Sequence, residues 1–503
     1  MRIATSLLIA LAPLVMTACG AVHRPLAVAP PAALEGYHRA IDWSSAGAEA
    51  SGLLSAYLQV DTVNPPGNET RGAEFLAAVL AREGIDSEIH EFAPGRGSLV
   101  ARIPGDGSEP PLCLMSHIDV VTSEDSYWPE GKGPLSGTID DEGVIWGRGA
   151  LDMKGMGAIE LMTMVWIKRL GLPLKRDVVL LAVADEEIGG GGARLIADEH
   201  WDEIGCSHMV NEGGFGVRGA LFEDHTVFAI SVAEKGNVWV RMTAHGEPGH
   251  GSTPVPDRAP ERLMKAVAKI AAREPVVAFY PALYELFYNV GQQRSGLEKA
   301  VLSRPLSVRA LLKPTLMENP VTAAMIHDTI NLTGLEGALE PNVVPAAVSA
   351  IYDCRLLPGT TPEQMLAELR RLVEQDPNIS FEVIQAKEGN GSPWDDPLYR
   401  ALERHAAGGR DDAAAGPILS IGFTDSIYFR KLGVRAYGLI PFEITGEELA
   451  TTHGHRERVS TANVRDGLRR LYSAVVDVSC HPGHAVPAQP VMAPLWHPLE
   501  TAE

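Results

Sequence analysis

The sequence predicts an α/β protein with a largely parallel central sheet, interrupted by an inserted α+β domain. Three observations carry this. Helix-like and strand-like segments alternate from about Ala46 to Ala233, which implies a parallel sheet covered on both faces. The run "VVLLAVA" (178–184) is apolar at every position, as in a strand buried on both sides. Near Lys235 the pattern changes to strands such as "NVWVRMTAHG" and "AAVSAIYDCRLLPG" with helices between them, and near Glu388 the first pattern resumes.

The elements follow in order. Met1-Arg2, the apolar run "IATSLLIALAPLVM" and the small residues to Gly20 have the layout of a secretory signal, too short for a comfortable membrane span. The ending "MTACG" resembles a bacterial lipobox, which implies a signal over residues 1–19 and a lipid anchor at Cys19. Met16 is unusual at that motif's first position, so plain secretion stands beside it. Gly20 after the cysteine points, by the same resemblance, to the outer membrane, and the chain is expected to face the periplasm. Residues 20–44 read as a tether and 45–235 as the first part of the main domain. Within it, "AEFLAAVLAREG" is amphipathic, "SLVARIPG" alternates and "PLCLMSHIDVV" is a buried strand running into polar residues. "GMGAIELMTMVWIKRLG" (155–171) is apolar nearly all round, hence a buried crossover helix. The insertion covers 236–387, the main domain returns over 388–480, and 481–503, with five prolines, is a wrapped or loose tail.

Composition narrows the class. A chain of 503 residues with 45% apolar and 21% charged residues is an ordinary globular protein of two or more domains. Its net charge of −21, with no long basic run, argues against nucleic acid as a partner. Secretion would permit disulfides, yet Cys113 and Cys354 lie in strand-like runs and read as free buried thiols.

The strand at 178–184 ends in Asp185, Glu186 and Glu187, then glycines. Three acids at one strand end repel one another unless a cation sits there, and the crevice beyond strand ends is where open α/β sheets bind ligands. Ligand-type residues also mark other ends: His117 and Asp119 after "LCLMS", Asp152 before the buried helix, Glu212 in "MVNEGG" and His453 in "TTHGHRE". Each has an ordinary reading alone; Asp152 could simply cap its helix. Together, two histidines and three carboxylates suit zinc or another borderline divalent metal. They also supply the count that two metals about 3.5–4 Å apart require, with Glu186 left over as a base.

The landmarks "TVNPPGNE", "SHIDVV", "GRGALDMKG", "ADEEIGG", "NEGG", "GHGSTP", "NVVP" with "YDCR", "GFTDS" and "HGHRE" occur in this order. In them the chain resembles the dinuclear zinc metallopeptidases that include carboxypeptidase S, glutamate carboxypeptidase, aminoacylase, acetylornithine deacetylase and succinyl-diaminopimelate desuccinylase. The resemblance implies a zinc-peptidase catalytic domain with a lid or dimerisation domain as the insertion. It implies two divalent ions, zinc first with cobalt or manganese as substitutes. Asp152 would bridge them, His117 and Glu212 completing one site, Glu187 and His453 the other. Glu186 would be the general base, and the Asp119 carboxylate would orient His117. His250, on the lid, would donate to the substrate carbonyl oxygen. Asn342 and Arg355 would contact that oxygen and the substrate carboxylate, and Gly422 would offer a backbone contact. His455 is a rival to His453, which keeps the spacing to Glu457. A cis peptide after Asp152 is a further implied feature.

The expected activity is metal-dependent hydrolysis of an amide bond beside a free carboxylate. The first expectation for the substrate is a short peptide, through carboxypeptidase or dipeptidase action; the alternative is an N-acyl amino acid, through deacylase action. A peptide-binding module that has lost catalysis would lack ligands that this chain keeps. A monomer and a lid-mediated homodimer are both compatible with the resemblance.

Overall fold

The computed structural model describes residues 34–497 apart from 255, 338, 339 and 488; the expected signal, Cys19 and most of the tether lie outside these residues. Its main body is a ten-stranded mixed sheet. At its centre, Arg435–Gly438, His208–Asn211, Leu112–His117 and Val178–Val183 run parallel as neighbours. Arg96–Ile103 and Ser87–Ala93 add an antiparallel edge. On the other side Thr226–Glu234 pairs in parallel with Ala413–Ser420. The strands Leu112–His117 and Val178–Val183 are buried at every position, which is why neither alternates in sequence.

Helices cover both faces. Lys154–Arg169 is buried over its first fourteen residues, Lys154 to Ile167, as its all-round apolar pattern requires. It packs with Trp43–Leu58 and Thr461–Ser479 in one large core. Residues 34–44, at the end of the expected tether, are folded onto this core: Glu35–Arg39 is a helix with Tyr37 buried. Residues of the tail also pack back. Val491 pairs with Ile41, and a Cβ on Gly52 would lie 2.6 Å from Trp496 Cβ.

The insertion carries an antiparallel four-stranded sheet in the order Thr329–Glu336, Ala347–Leu356, Gly236–His245, Ile379–Lys387. The helices Ala259–Ala271 and Pro362–Leu372 bury their apolar stripes against it. The stretch 236–387, expected as one lid, divides between two bodies. Leu283, Leu286, Phe287 and Val290 of the helix Pro281–Gln292 pack on Val227, Ala414 and Ile418 of the main sheet. The cysteine reading is also corrected. Cys113 is bonded to Cys206, 93 residues on, because adjacent parallel strands bring the start of one beside the approach to the other. Cys354 and Cys480 are free and buried.

Candidate metal centre

Three parallel strands lying side by side deliver the site. His117 ends its strand in register with Val183, so the acids after Val183 lie beside it; Glu212 follows the next strand, His208–Asn211. The acids do not all enter the crevice. Asp185 has φ of +70°, a left-handed kink that breaks the alternation of a strand. Its carboxylate is held elsewhere, by Arg96 Nη2 at 2.7 Å, Asn64 Nδ2 at 3.1 Å and the Gly191 amide at 3.1 Å. The kink leaves Glu186 and Glu187 to the crevice.

Asp152 sits at the centre. Its Oδ1 lies 3.0 Å from His117 Nε2 and its Oδ2 3.0 Å from His453 Nε2. Met153, not Asp152, occupies the helix cap, without a side-chain cap bond, so the carboxylate is free for the crevice. Glu212 Oε1 is 4.0 Å from His117 Nε2, and Glu187 Oε2 is 3.1 Å from His453 Nε2. The five fall into two groups that share Asp152, His117–Asp152–Glu212 and Asp152–Glu187–His453, with ligand atoms within 4.8 Å of one another. His455 is turned away and stacks on Tyr127 at 4.4 Å. The peptide bond between Asp152 and Met153 is cis.

Burial and crowding set the electrostatics. Burial first, then the charge of Glu212, holds the Glu186 carboxyl well above its ordinary range; burial and Asp152 do the same for Glu212. Burial alone would lower His117, but Asp152, Glu212 and Glu186 hold it well above the ordinary histidine value. Hydrogen bonds to Asp152 and Glu187 raise His453 to about 10. Protonated imidazoles thus do, within the chain, part of what cations would do. The remainder is uncompensated: Glu187 Oε1 is buried with no partner. Two imidazoles and three carboxylates match the donor preferences of zinc and its neighbours, and the orphaned oxygen is a further donor, so the residues fit a divalent pair.

The support around the ligands was partly missed in the sequence. The His117 ring is oriented by the main-chain carbonyl of Asp119, 2.8 Å from Nδ1, rather than by its carboxylate, 3.6 Å away. That carboxylate instead accepts the amides of Glu186 and Glu187 at 3.1 and 3.2 Å and Asn64 Nδ2 at 2.9 Å. Burial pushes it up to about 6. Glu457 is fully buried and accepts the Leu151 and Asp152 amides at 2.7 and 3.0 Å. It also pairs with Arg148, which donates to the Gly454 carbonyl beside His453. One carboxylate therefore fixes both the bridging residue and the His453 loop. The "NPP" turn and the spacing of "HGHRE" were the available signals for Asn64 and Glu457. The buried Asp425 carboxyl, in "GFTDS", has no hydrogen-bond partner and is pushed up to about 8, first by burial and then by Asp119.

The remaining expected residues lie apart from this cluster. His250, on a two-stranded ribbon of the lid where it pairs with Val343, and Asn342, just before the ribbon's second strand, are both exposed, and the Gly251 amide donates to the Asn342 carbonyl at 2.8 Å. His250 Nδ1 accepts the Ser252 amide at 3.1 Å, so a neutral ring carries its proton on Nε2, the form that can donate to an oxyanion. Arg355 is clamped on Asp353. Gly422 is partly exposed with open space beside it.

This fold and site define a class, the metal-dependent amide hydrolases. The sequence profile described as Peptidase family M20/M25/M40 matches residues 113–477, and the chain belongs to that family, whose enzymes are metal-dependent. It is 29% identical to rat (Rattus norvegicus) aminoacylase-1A over 447 residues, 86% of this chain and 97% of that protein. It is 27% identical to the human (Homo sapiens) N-fatty-acyl-amino acid synthase/hydrolase PM20D1 over 446 residues, 84% of this chain and 86% of the relative. Among solved structures, a metallo-carboxypeptidase of Sulfolobus solfataricus superposes with a TM-score of 0.61 at 19% identity, covering 84% of this chain and 98% of the other. The Saccharomyces cerevisiae di-peptidase Dug1p gives 0.60 at 16%, covering 87% and 98%. These structures share the fold. The chain is a hydrolase of peptidase or aminoacylase-like type.

Proposed function

We propose that the protein hydrolyses the amide bond of N-acyl amino acids, a zinc pair being its native metal, with short peptides as the second class of substrate. The observation that carries this is the single carboxylate of Asp152 between two histidines, each with its own second acid, and Glu186 left over beside them. The acyl side is favoured because relatives matched over almost their whole length are named for acyl amino acids. The dipeptidase side keeps the support of the fold.

When bound, a zinc pair supplies Lewis acidity to the scissile carbonyl and to the attacking water. The chain's own residues do the rest. Glu186, whose proton affinity is raised by burial, takes the water's proton as oxygen adds to the carbonyl carbon. It then gives that proton to the nitrogen as the C–N bond breaks. His250 Nε2–H is the lid's donor to the oxyanion, with Asn342 just before the ribbon's second strand. Export also belongs to this proposal: the leader supports it, and a disulfide between Cys113 and Cys206 suits an oxidising compartment. Anchoring through Cys19 and a lid-mediated dimer are its further, separable parts.

The test is Glu186→Gln with metal analysis beside kinetics on an N-acyl amino acid and a dipeptide. The expected variant keeps the wild-type metal content and loses about 10²–10⁴-fold in kcat. Near-normal turnover would remove Glu186 from the role of base.

A further inference from the structure

Away from the crevice, a second mixed set of metal-ligating side chains comes together. His38, His405 and Asp477 each bring a donor atom within 4.8 Å of the others. They belong to three elements: the short helix Glu35–Arg39, the last turn of Pro397–Ala407 and the last turn of Thr461–Ser479. The third is an unfavourable place for an acid. A helix C-terminus carries partial negative charge, and this last turn has no basic residue of its own. The Asp477 side chain is nonetheless only 3% exposed, so its charge has to be answered by neighbours from other elements.

Its two oxygens are served differently. Oδ2 accepts from Arg404 Nη1 and lies 2.9 Å from His405 Nε2. Oδ1 lies 3.0 Å from His38 Nε2, yet both atoms are buried and neither makes a hydrogen bond among the described residues. The approach is close but misaligned for a proton. It suits a shared cation better. Zinc holds imidazole nitrogen and carboxylate oxygen at about 2.0–2.2 Å, which sets two tetrahedral partners about 3.3–3.6 Å apart. The two rings meet edge to face, their centroids 5.3 Å apart. The His38 backbone is itself held, its carbonyl accepting Trp43 Nε1 at 3.2 Å. Burial would raise the Asp477 carboxyl, but the two histidines hold it below the ordinary carboxylate range; burial keeps His405 below the ordinary histidine value. A charged carboxylate and a neutral imidazole are the forms that bind metal.

We propose that His38, His405 and Asp477 form a structural site for one divalent transition ion, zinc or a close neighbour, separate from the crevice. Two imidazoles and a carboxylate suit that class of ion, whereas calcium and magnesium take oxygen donors. Arg404 holds the second oxygen of Asp477, as the partners of metal ligands commonly do. The ion displaces the proton of His405 Nε2, and the other ring nitrogen then carries it. Bound there, it clasps the N-terminal helix to the ends of two helices from the other end of the chain.

The experiment counts zinc on the full chain by equilibrium dialysis and elemental analysis; differences between variants separate this site from the crevice. His38→Gln and His405→Gln should each bind one zinc fewer than wild type, and the double variant no fewer than either, with circular dichroism to show that the fold is kept. Hydrogen exchange of residues 34–44 is a second readout. In wild type, free zinc at about ten times the Kd of this site should slow that exchange about tenfold, and in His38→Gln zinc should leave it unchanged. Equal zinc counts in wild type and both single variants overturn the proposal. So does a double variant that loses twice what each single variant loses, which would make the histidines independent sites. The wild-type exchange decides without any variant: protection of 34–44 that follows pH but not zinc makes the cluster a plain ion pair and overturns the metal site.

Discussion

Asp152 can bridge because each of its oxygens meets a different histidine, and it can do so only while its backbone is held. That holding falls to Glu457, which accepts the amides of Leu151 and Asp152 and ties them, through Arg148, to the loop of His453. Replacing Glu457 by Gln keeps its volume but turns an amide donor toward Arg148 or toward those backbone N–H groups. The expected result is metal affinity lowered about 10–100-fold, as for other changes to the partners of metal ligands, measured by competition with a chromogenic chelator. Glu186→Gln should show the reverse pattern, with metal kept and turnover lost, so the two variants separate support from chemistry. At this scale the five clustered residues were legible, because a histidine or acid at the end of an apolar run is visible in the sequence. Their supports were less so. Whether His117 leans on the Asp119 carboxylate or its carbonyl is decided by the chain path after the strand, and residue types do not encode that path one by one. The choice between His453 and His455 was legible in spacing, and Tyr127, more than 300 positions away in sequence, takes up His455.

The turn from Asp185 to Gly191 aims two adjacent acids the same way. It begins with the left-handed Asp185 and closes on Gly190, φ +68°, where a Cβ would lie 2.7 Å from Asp425 Oδ1 and 2.8 Å from Tyr428 Cε2. Gly190→Ala would impose both a strained backbone and a clash. We expect a loss of about 1–3 kcal/mol in unfolding free energy by denaturant titration. Turnover should fall too, since the same turn positions Glu186. A variant as stable and as active as wild type would show that this turn is not what fixes Glu186. The glycines after Ile188 gave this turn away in the sequence, since only a close turn needs so many. The disulfide gave nothing away. Cys113 sits in an apolar strand and Cys206 far along the chain, and only the order of strands in the sheet brings them together. The division of the inserted stretch was hidden for a related reason: the helix Pro281–Gln292 is amphipathic whichever sheet it covers, and its apolar stripe does not name its partner.

At the scale of the whole molecule, the site is a store of proton affinity that metal would replace, and this sets the crevice's share of the response of stability to pH. The α/β class was readable because buried parallel strands are apolar without alternation, whereas charge balance inside the crevice exists only once distant strand ends meet. Without metal, Glu186 and Glu212 hold their protons well above the ordinary carboxyl range, Asp119 titrates near 6, Asp425 near 8 and His453 near 10. All of these groups bind protons more tightly in the native state than in the unfolded chain. At this crevice the native state therefore carries more protons than the unfolded chain between pH 5 and 8, and these groups' contribution to stability falls as pH rises through that window. Raised carboxyls lose their native advantage on ionising, and His453 contributes in the same direction, its stabilisation complete below the unfolded histidine value and lost as pH approaches 10. Metal reverses the balance, because its ligands must already be deprotonated and protons compete with it. Thermal unfolding of chelator-stripped and zinc-loaded protein at pH 5, 6, 7 and 8 should thus show a gap in Tm that widens steadily with pH. A gap of constant size would mean that the raised groups of this crevice do not exchange protons for metal, and that the crowding of acids there is relieved in some other way.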